Sequence, residues 1–401
     1  MRKLILILST LMIVIALGGP VLTGHYAERI VREGQPIVAD SLPDWLQLVE
    51  SSYERGWFNA TASHRLLVTD PERAGMLRDW LSDGDFGDQP AIVVHSTINH
   101  GPIVNIATLA LADVRSRLSV DGGEAGKELP ALLNTRIGLN GETGFRVLVA
   151  DGAFSRPQGD VSWSRVAIAY APAPVSDPFV LEFTADALQY TGAQSASLIE
   201  DVQTTLTLTN SEPGKTLHAQ YTANAISTSG AAAAVQGTLS LDGLTAEFLI
   251  AARNLITARQ QSAGQDPWAL LEANATSIRA GFATPLSLDW QQDLQAADGS
   301  LDLALAVDTP AANIVPLAAN VQTFLQTMAN NSDLTLTAHT NEGYLQSVAT
   351  ENPGVADQVA MLKGVGALQR DGDGDAYSMT VTGKDGALLL NGRPMLNSAP
   401  R

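Results

Sequence analysis

The feature that most constrains this fold is a long succession of stretches, from about 133 to 250, in which polar and apolar residues alternate. Phe179, Leu181 and Phe183 alternate with Val180, Glu182 and Thr184. Leu217, Ala219, Tyr221 and Ala223 alternate with His218, Gln220, Thr222 and Asn224. A period of two sends successive side chains to opposite faces, and Gly, Asn and Asp at the breaks supply turns. The run therefore predicts antiparallel strands with one buried and one wetter face. Shorter runs at 301–307, 334–338, 366–369, 377–382 and 387–390 predict further strands.

Helices are expected near 266–281, which Pro267 opens and Gly281 closes, and near 311–328. Shorter ones are expected at 44–50, 71–81 and 352–362, the second with Asp70 as cap and Pro71 in its first position. A turn at Gly56 leads into a strand through Val68, on which His64 interrupts an apolar face. A second strand, 91–98, runs into Asn99-His100-Gly101-Pro102, which reads as a turn. Residues 103–120 fit strand or helix equally. The expected class is a β-dominated α+β chain: an N-terminal membrane anchor, then a large curved antiparallel sheet with a few packing helices. Its parts are the anchor at 1–22, an N-terminal α/β part at 23–132 and a β-rich body at 133–401.

The anchor rests on Arg2 and Lys3 followed by an apolar run broken only by Ser9 and Thr10. Counted over 4–17 it has 14 residues, the length of a signal-peptide core. Counted to Leu22 it would span roughly 28 Å as a helix, close to a hydrocarbon core of about 30 Å. Ala16 and Gly18 would suit a cleavage site, so removal and retention both fit the residues. The basic start favours an N-terminus that stays inside, with the body exported.

A formal charge of −18 argues against a nucleic-acid partner. The absence of cysteine removes disulfides, thiol catalysis and zinc–thiolate sites. Asp371, Asp373 and Asp375 have the spacing that begins a calcium loop, but Ala376 and Thr382 stand where glycine and glutamate are required, so a turn is expected. His64, His95 and His100 fall close together in sequence; the five-residue step between the last two separates them onto opposite strand faces. Satisfied or exposed histidines are therefore expected instead of a metal site. There is no nucleophile elbow, P-loop or dinucleotide fingerprint. No catalytic, cofactor or metal residues are assigned, and a non-enzymatic role is expected.

Tyr53-Glu54-Arg55-Gly56-Trp57-Phe58 and the downstream His100-Gly101-Pro102 resemble the YdgA-like family of bacterial envelope proteins. Tyr377 and the closing Asn391-Gly392-Arg393-Pro394 are similar to that family's C-terminal end, whereas Asn59 departs from the serine expected after Phe58. The resemblance implies an uncleaved anchor in the bacterial inner membrane, a periplasmic body and self-association, for instance as a homodimer. It carries no catalytic set. Structural roles are expected for these residues: Gly56 at a tight strand entry open to positive φ, Gly101-Pro102 at a corner, and Asn391-Gly392 in a type I′ turn. Two functions remain: binding a hydrophobic envelope molecule such as lipid, or scaffolding through self-association and envelope partners.

Overall fold

A computed structural model describes residues 28–29 and 42–395, apart from 57–58, 82–89, 101–109, 122–126, 139–141, 157–158, 172–178, 193–195, 212–213, 227–231, 262–266, 312–319, 352, 373 and 385. The anchor at 1–22, Trp57, Phe58, Gly101 and Pro102 lie outside the described residues. No helix among the described residues is long and apolar enough to cross a membrane. The expected β-dominated α+β class with a large open antiparallel sheet and a few helices is what the chain adopts. It divides into two compact units, residues 1–176 with 181–198, and 177–180 with 199–401.

In unit 1, β1 (Leu46–Arg55) and β2 (Asn59–Val68) form a hairpin closed at Gly56, whose N–H donates to Asn59 O at 2.7 Å. The helix expected at 44–50 is therefore a strand. Trp45, Leu48 and Val49 suit a helical stripe, but Leu46 and Leu48 also alternate, and pairing with Val68 and Leu66 settles the choice. Helix α1 (Pro71–Leu81) forms as expected, with Asp70 Oδ1 accepting from Arg73 N at 2.9 Å. Antiparallel pairing continues through β3 (Ala91–His100), β4 (Ala112–Asp121), β5 (Lys127–Ile137) and β6 (Thr143–Val149). Next come the short strands β7 (Gly152–Arg156), β8 (Gly159–Ser164) and β9 (Val166–Ala171), then the longer β10 (Phe179–Gly192). One face of β2, β3 and β4 is built from small residues, and Ala60, Ala62, Ile98 and Ala112 form its buried cluster. Leu77 of α1 packs against a second cluster around Val120 and Leu129.

Unit 2 contains β11 (Ala196–Asn210) from Ile199 onward, β12 (Lys215–Ile226) and β13 (Ala232–Leu244), then a helix where the strand pattern was expected to continue to 250. This helix, α2 (Ala246–Gln261), begins because Thr245 Oγ1 accepts from Phe248 N at 3.1 Å, and Phe248, Ala251 and Leu255 then share one face. The helix expected at 266–281 is two short helices, α3 (Pro267–Ala273) and α4 (Ala275–Gly281), separated at Asn274. β14 (Leu286–Ala296) and β15 (Gly299–Thr309) follow. The helix expected at 311–328 begins only at Val321, as α5 (Val321–Asn330), because Asn320 is extended and caps it, its Oδ1 accepting from Thr323 N at 2.7 Å. After β16 (Asp333–Asn341) an unexpected helix, α6 (Glu342–Glu351), precedes α7 (Pro353–Gly364). Small strands β17 (Gln369–Arg370), β19 (Ala387–Leu390) and β20 (Arg393–Pro394) complete the ladder around β18 (Ala376–Lys384).

The core of α2, α4 and α5 is made of Ala251, Ile278, Phe324 and Met328, with Leu255, Leu271, Ala275, Phe282 and Leu325 packed against it. None of these nine residues belongs to a strand, so the helices bury their apolar faces largely against one another.

Candidate functional site

The strand registers of unit 2 align side chains in rows across the ladder. One row runs Ala219, Leu239, Trp290, Leu305, Leu336, Val381 and Leu390. Another runs Leu217, Leu241, Leu288, Val307, Leu334, Gly383 and Leu388. The opposite face has Gln220, Thr238, Gln291, Ala304, Thr337 and Thr380 in the corresponding row. One face thus carries apolar rows across seven paired strands and the other is lined by Thr, Gln and Asp. The large residues of the apolar face, including Leu239, Trp290, Leu305 and Leu336, are only half-buried. At its edge Leu388 and Met395 are 50% and 45% exposed. Two polar anchors sit inside it: Tyr221 Oη donates to Gln292 Oε1 at 3.1 Å, and Trp290 Nε1 donates to Tyr221 Oη at 3.3 Å. Gly237 leaves room for the Tyr221 ring, since a Cβ there would meet it at 2.3 Å.

The signature residues occupy three different environments. Gly56 is not in the positive-φ region; glycine is required because a Cβ would come within 2.6 Å of Asn59 Oδ1 and 2.9 Å of its carbonyl. His100 was expected in a turn and is instead the last residue of β3, opposite Ala112. It is 4% exposed, and both ring nitrogens are buried without a hydrogen-bond partner among the described residues. The histidines were expected to be satisfied or exposed, and His100 is neither. Tyr53 packs against the same alanine-rich cluster, and its hydroxyl is also buried without a partner among the described residues. Burial, with the Glu28 carboxylate adding, raises its pKa against a smaller opposing effect of Arg55. Unpaired buried polar atoms destabilise a fold by about 1–3 kcal/mol. Tyr53→Phe and His100→Leu are each expected to raise stability by about 1 kcal/mol, read as an increased urea midpoint.

His64 Nδ1 and Ser51 Oγ are hydrogen-bonded at 2.8 Å, and burial lowers the His64 pKa. His95 lies on the other face, 3.4 Å from Ser63 Oγ, in a concavity of about 460 Å³ that also holds Arg65 and Asp121. Serine, histidine and aspartate are all present there, but Asp121 is held by Arg65 at 2.9–3.0 Å. A triad would need that carboxylate on the imidazole. No group of three metal-ligating side chains exists among the described residues.

At the C-terminal end, Asn391 and Gly392 have φ of 51° and 76°, the expected type I′ pair, between paired Leu390 and Arg393. Asn391 does more than turn the chain. Its Oδ1 accepts from Thr380 N at 2.8 Å, and its Nδ2 donates to Gly366 O at 3.1 Å and Ala367 O at 2.9 Å. Pro394 is exposed opposite Leu389. The aspartate segment is a turn, with Asp371 N donating to Ala376 O at 2.9 Å and Asp371 Oδ1 accepting from Ser378 Oγ.

Tyr377 lies under the Lys363 ammonium, 4.4 Å from the ring centroid, and Lys363 bonds Glu342 Oε2 at 2.7 Å. Hydrogen bonds from Lys363, Tyr377 and Gln346 lower the Glu342 pKa from 4.5 to about 2. Burial is the largest single effect on Lys363 and opposes its charge, but Glu342 and Tyr377 together outweigh it and raise the pKa. The folded value of Glu342 lies below the unfolded one, so its contribution is complete above about pH 4.5 and is lost as pH falls toward 2. Both side chains are about 30% exposed, and solvent screening leaves on the order of 1 kcal/mol. Urea melts between pH 5 and 2.5 are expected to show that loss in the native chain and most of it abolished in Lys363→Met.

Fold and site together define a β-dominated α+β protein with a two-faced antiparallel sheet and no assembled catalytic centre among the described residues. The chain belongs to a bacterial family of unknown function, described as "Bacterial protein of unknown function (DUF945)", which matches residues 1–215. No curated protein and no solved structure matches it. The match covers unit 1 and the start of unit 2, so Tyr377 and Asn391 lie beyond it.

Proposed function

We propose that this chain is an envelope protein of the YdgA-like kind, tethered to the bacterial inner membrane by residues 1–22, with a periplasmic body that binds a hydrophobic molecule such as lipid. The role is non-enzymatic binding or handling. The observation that carries it is the apolar face of unit 2, whose large side chains stay half-buried while α2, α4 and α5 share a core without strand residues. A contiguous apolar patch left open to solvent usually marks a binding surface. Tyr221, Trp290 and Gln292 would give such a ligand a polar contact within the apolar field.

The test is to purify the full chain in a neutral detergent, extract bound molecules and identify them by mass spectrometry. Lipid at a fixed molar ratio, retained through detergent exchange, is expected. A chain free of lipid that also takes none up from labelled phospholipid would overturn the reading. A second reading, self-association, is favoured by Leu388 and Met395, which are exposed side by side where Met395 N donates to Leu388 O at 2.9 Å. Cross-linking in membranes that trapped only monomer would count against it.

A further inference from the structure

In unit 1 the hairpin that follows β5 is broken on both strands at the same level. β6 gives way to β7 at Ala150 and Asp151, and β8 gives way to β9 at Arg165. Arg165 has φ of 40°, a left-handed conformation that is uncommon for a residue with a side chain. The Asp151 carboxylate holds it there, accepting from Arg165 N at 2.9 Å and Ser164 Oγ at 3.0 Å. Those bonds also lower the Asp151 pKa, keeping it an acceptor. Backbone strain that the surroundings enforce tends to mark functional positions.

The break borders a concavity of about 890 Å³ lined by Arg117, Arg146 and Arg165, with Thr184 and an apolar floor including Leu132 and Leu148. Two carboxylates also line it. Glu128 lies 3.9 Å from Arg117, and Asp186 is ion-paired with Arg165. Arg146 has no acidic partner among the described residues. Three guanidiniums against two carboxylates leave this concavity with a positive excess centred on Arg146, against a chain charge of −18, so an anion is the complementary ligand. Guanidinium forks match the oxygen geometry of carboxylate and phosphate.

We propose that this concavity binds a phosphate or carboxylate group carried on an apolar body. The anion sits on Arg146, and Arg117 and Arg165 turn to it from their partners. Leu132 and Leu148 receive the adjoining alkyl part. The site is independent of the apolar face in unit 2, so failure of either leaves the other standing.

The experiment titrates the full chain in neutral detergent with dihexanoyl phosphatidic acid, inorganic phosphate and dihexanoyl phosphatidylcholine. The phosphatidic acid is expected to bind with an affinity that falls as salt rises and falls in Arg146→Gln. Any phosphatidylcholine taken up by the apolar face of unit 2 should bind independently of salt and equally in Arg146→Gln. Arg146→Gln should weaken binding about tenfold, the loss of one charge-assisted contact. Arg165→Gly removes the second guanidinium while suiting the local φ, so it should weaken binding with an unchanged or higher melting temperature. That separates lost binding from lost folding. Tighter binding of the lipid than of phosphate supports the proposal, and phosphate that binds as well as the lipid overturns the role given to Leu132 and Leu148. Equal binding of the phosphatidic acid by the native chain and Arg146→Gln, or no binding of either anionic probe, overturns the proposal.

Discussion

Phe324→Ala is expected to destabilise unit 2 by about 3–5 kcal/mol, the range for a large aromatic removed from a closed core. Phe324 is 2% exposed, and its ring meets that of Phe282 at 5.9 Å, edge to face, while Phe282 meets Phe248 at the same distance. The three rings link α2, the end of α4 and α5. Their close approach is fixed at Gly281, where a Cβ would lie 2.9 Å from Phe248 Cα. The cavity left by alanine therefore has little freedom to collapse. Chemical unfolding followed by tryptophan fluorescence reads the effect, with Phe324→Leu as a milder control at about 1–2 kcal/mol. A loss below about 1 kcal/mol for alanine would mean that these helices do not form a core of their own.

Asn391→Ala is expected to be the next most damaging single change, at about 3 kcal/mol. It deletes one acceptor and two donor contacts that join β18, the end of α7 and the β19–β20 turn. It also places alanine at φ of 51°, which favours asparagine or glycine. Asn391→Gly keeps the turn and loses only the contacts, so it should recover part of the loss. If the two variants proved equally mild, the side chain would be a turn residue and not the junction of three elements.

These cases show how unevenly the structure can be read from residues. Strands such as β12 and β15 were legible because their alternation is strict and their partners alternate in phase. Segment 44–50 was misread because both periods fit it, and the choice belongs to β2, a partner that no local pattern reveals. α2 was missed because alanine-rich helix follows directly on an apolar strand; Thr245 followed by Glu247 was the available signal. The Asn391-Gly392 turn could be read from two residues, whereas the reach of Asn391 to Gly366 depends on tertiary folding. Tyr53 and His100 could be singled out, but not that both would be buried without partners among the described residues. The arginine-lined concavity had no sequence signal at all, because its residues come from separate strands brought together by register.

The central claim is that the apolar face of unit 2, and not its polar face, receives a hydrophobic ligand. The chain has no cysteine, so single cysteines can be placed without background. Nitroxide labels at Leu305→Cys and Leu336→Cys report the apolar face, and labels at Ala304→Cys and Thr337→Cys report the other, in neighbouring positions of the same strands. On addition of phospholipid to the full chain, the first pair should lose accessibility to a polar relaxation agent while the second pair does not change. Equal protection of both pairs, or protection of neither, would contradict the account.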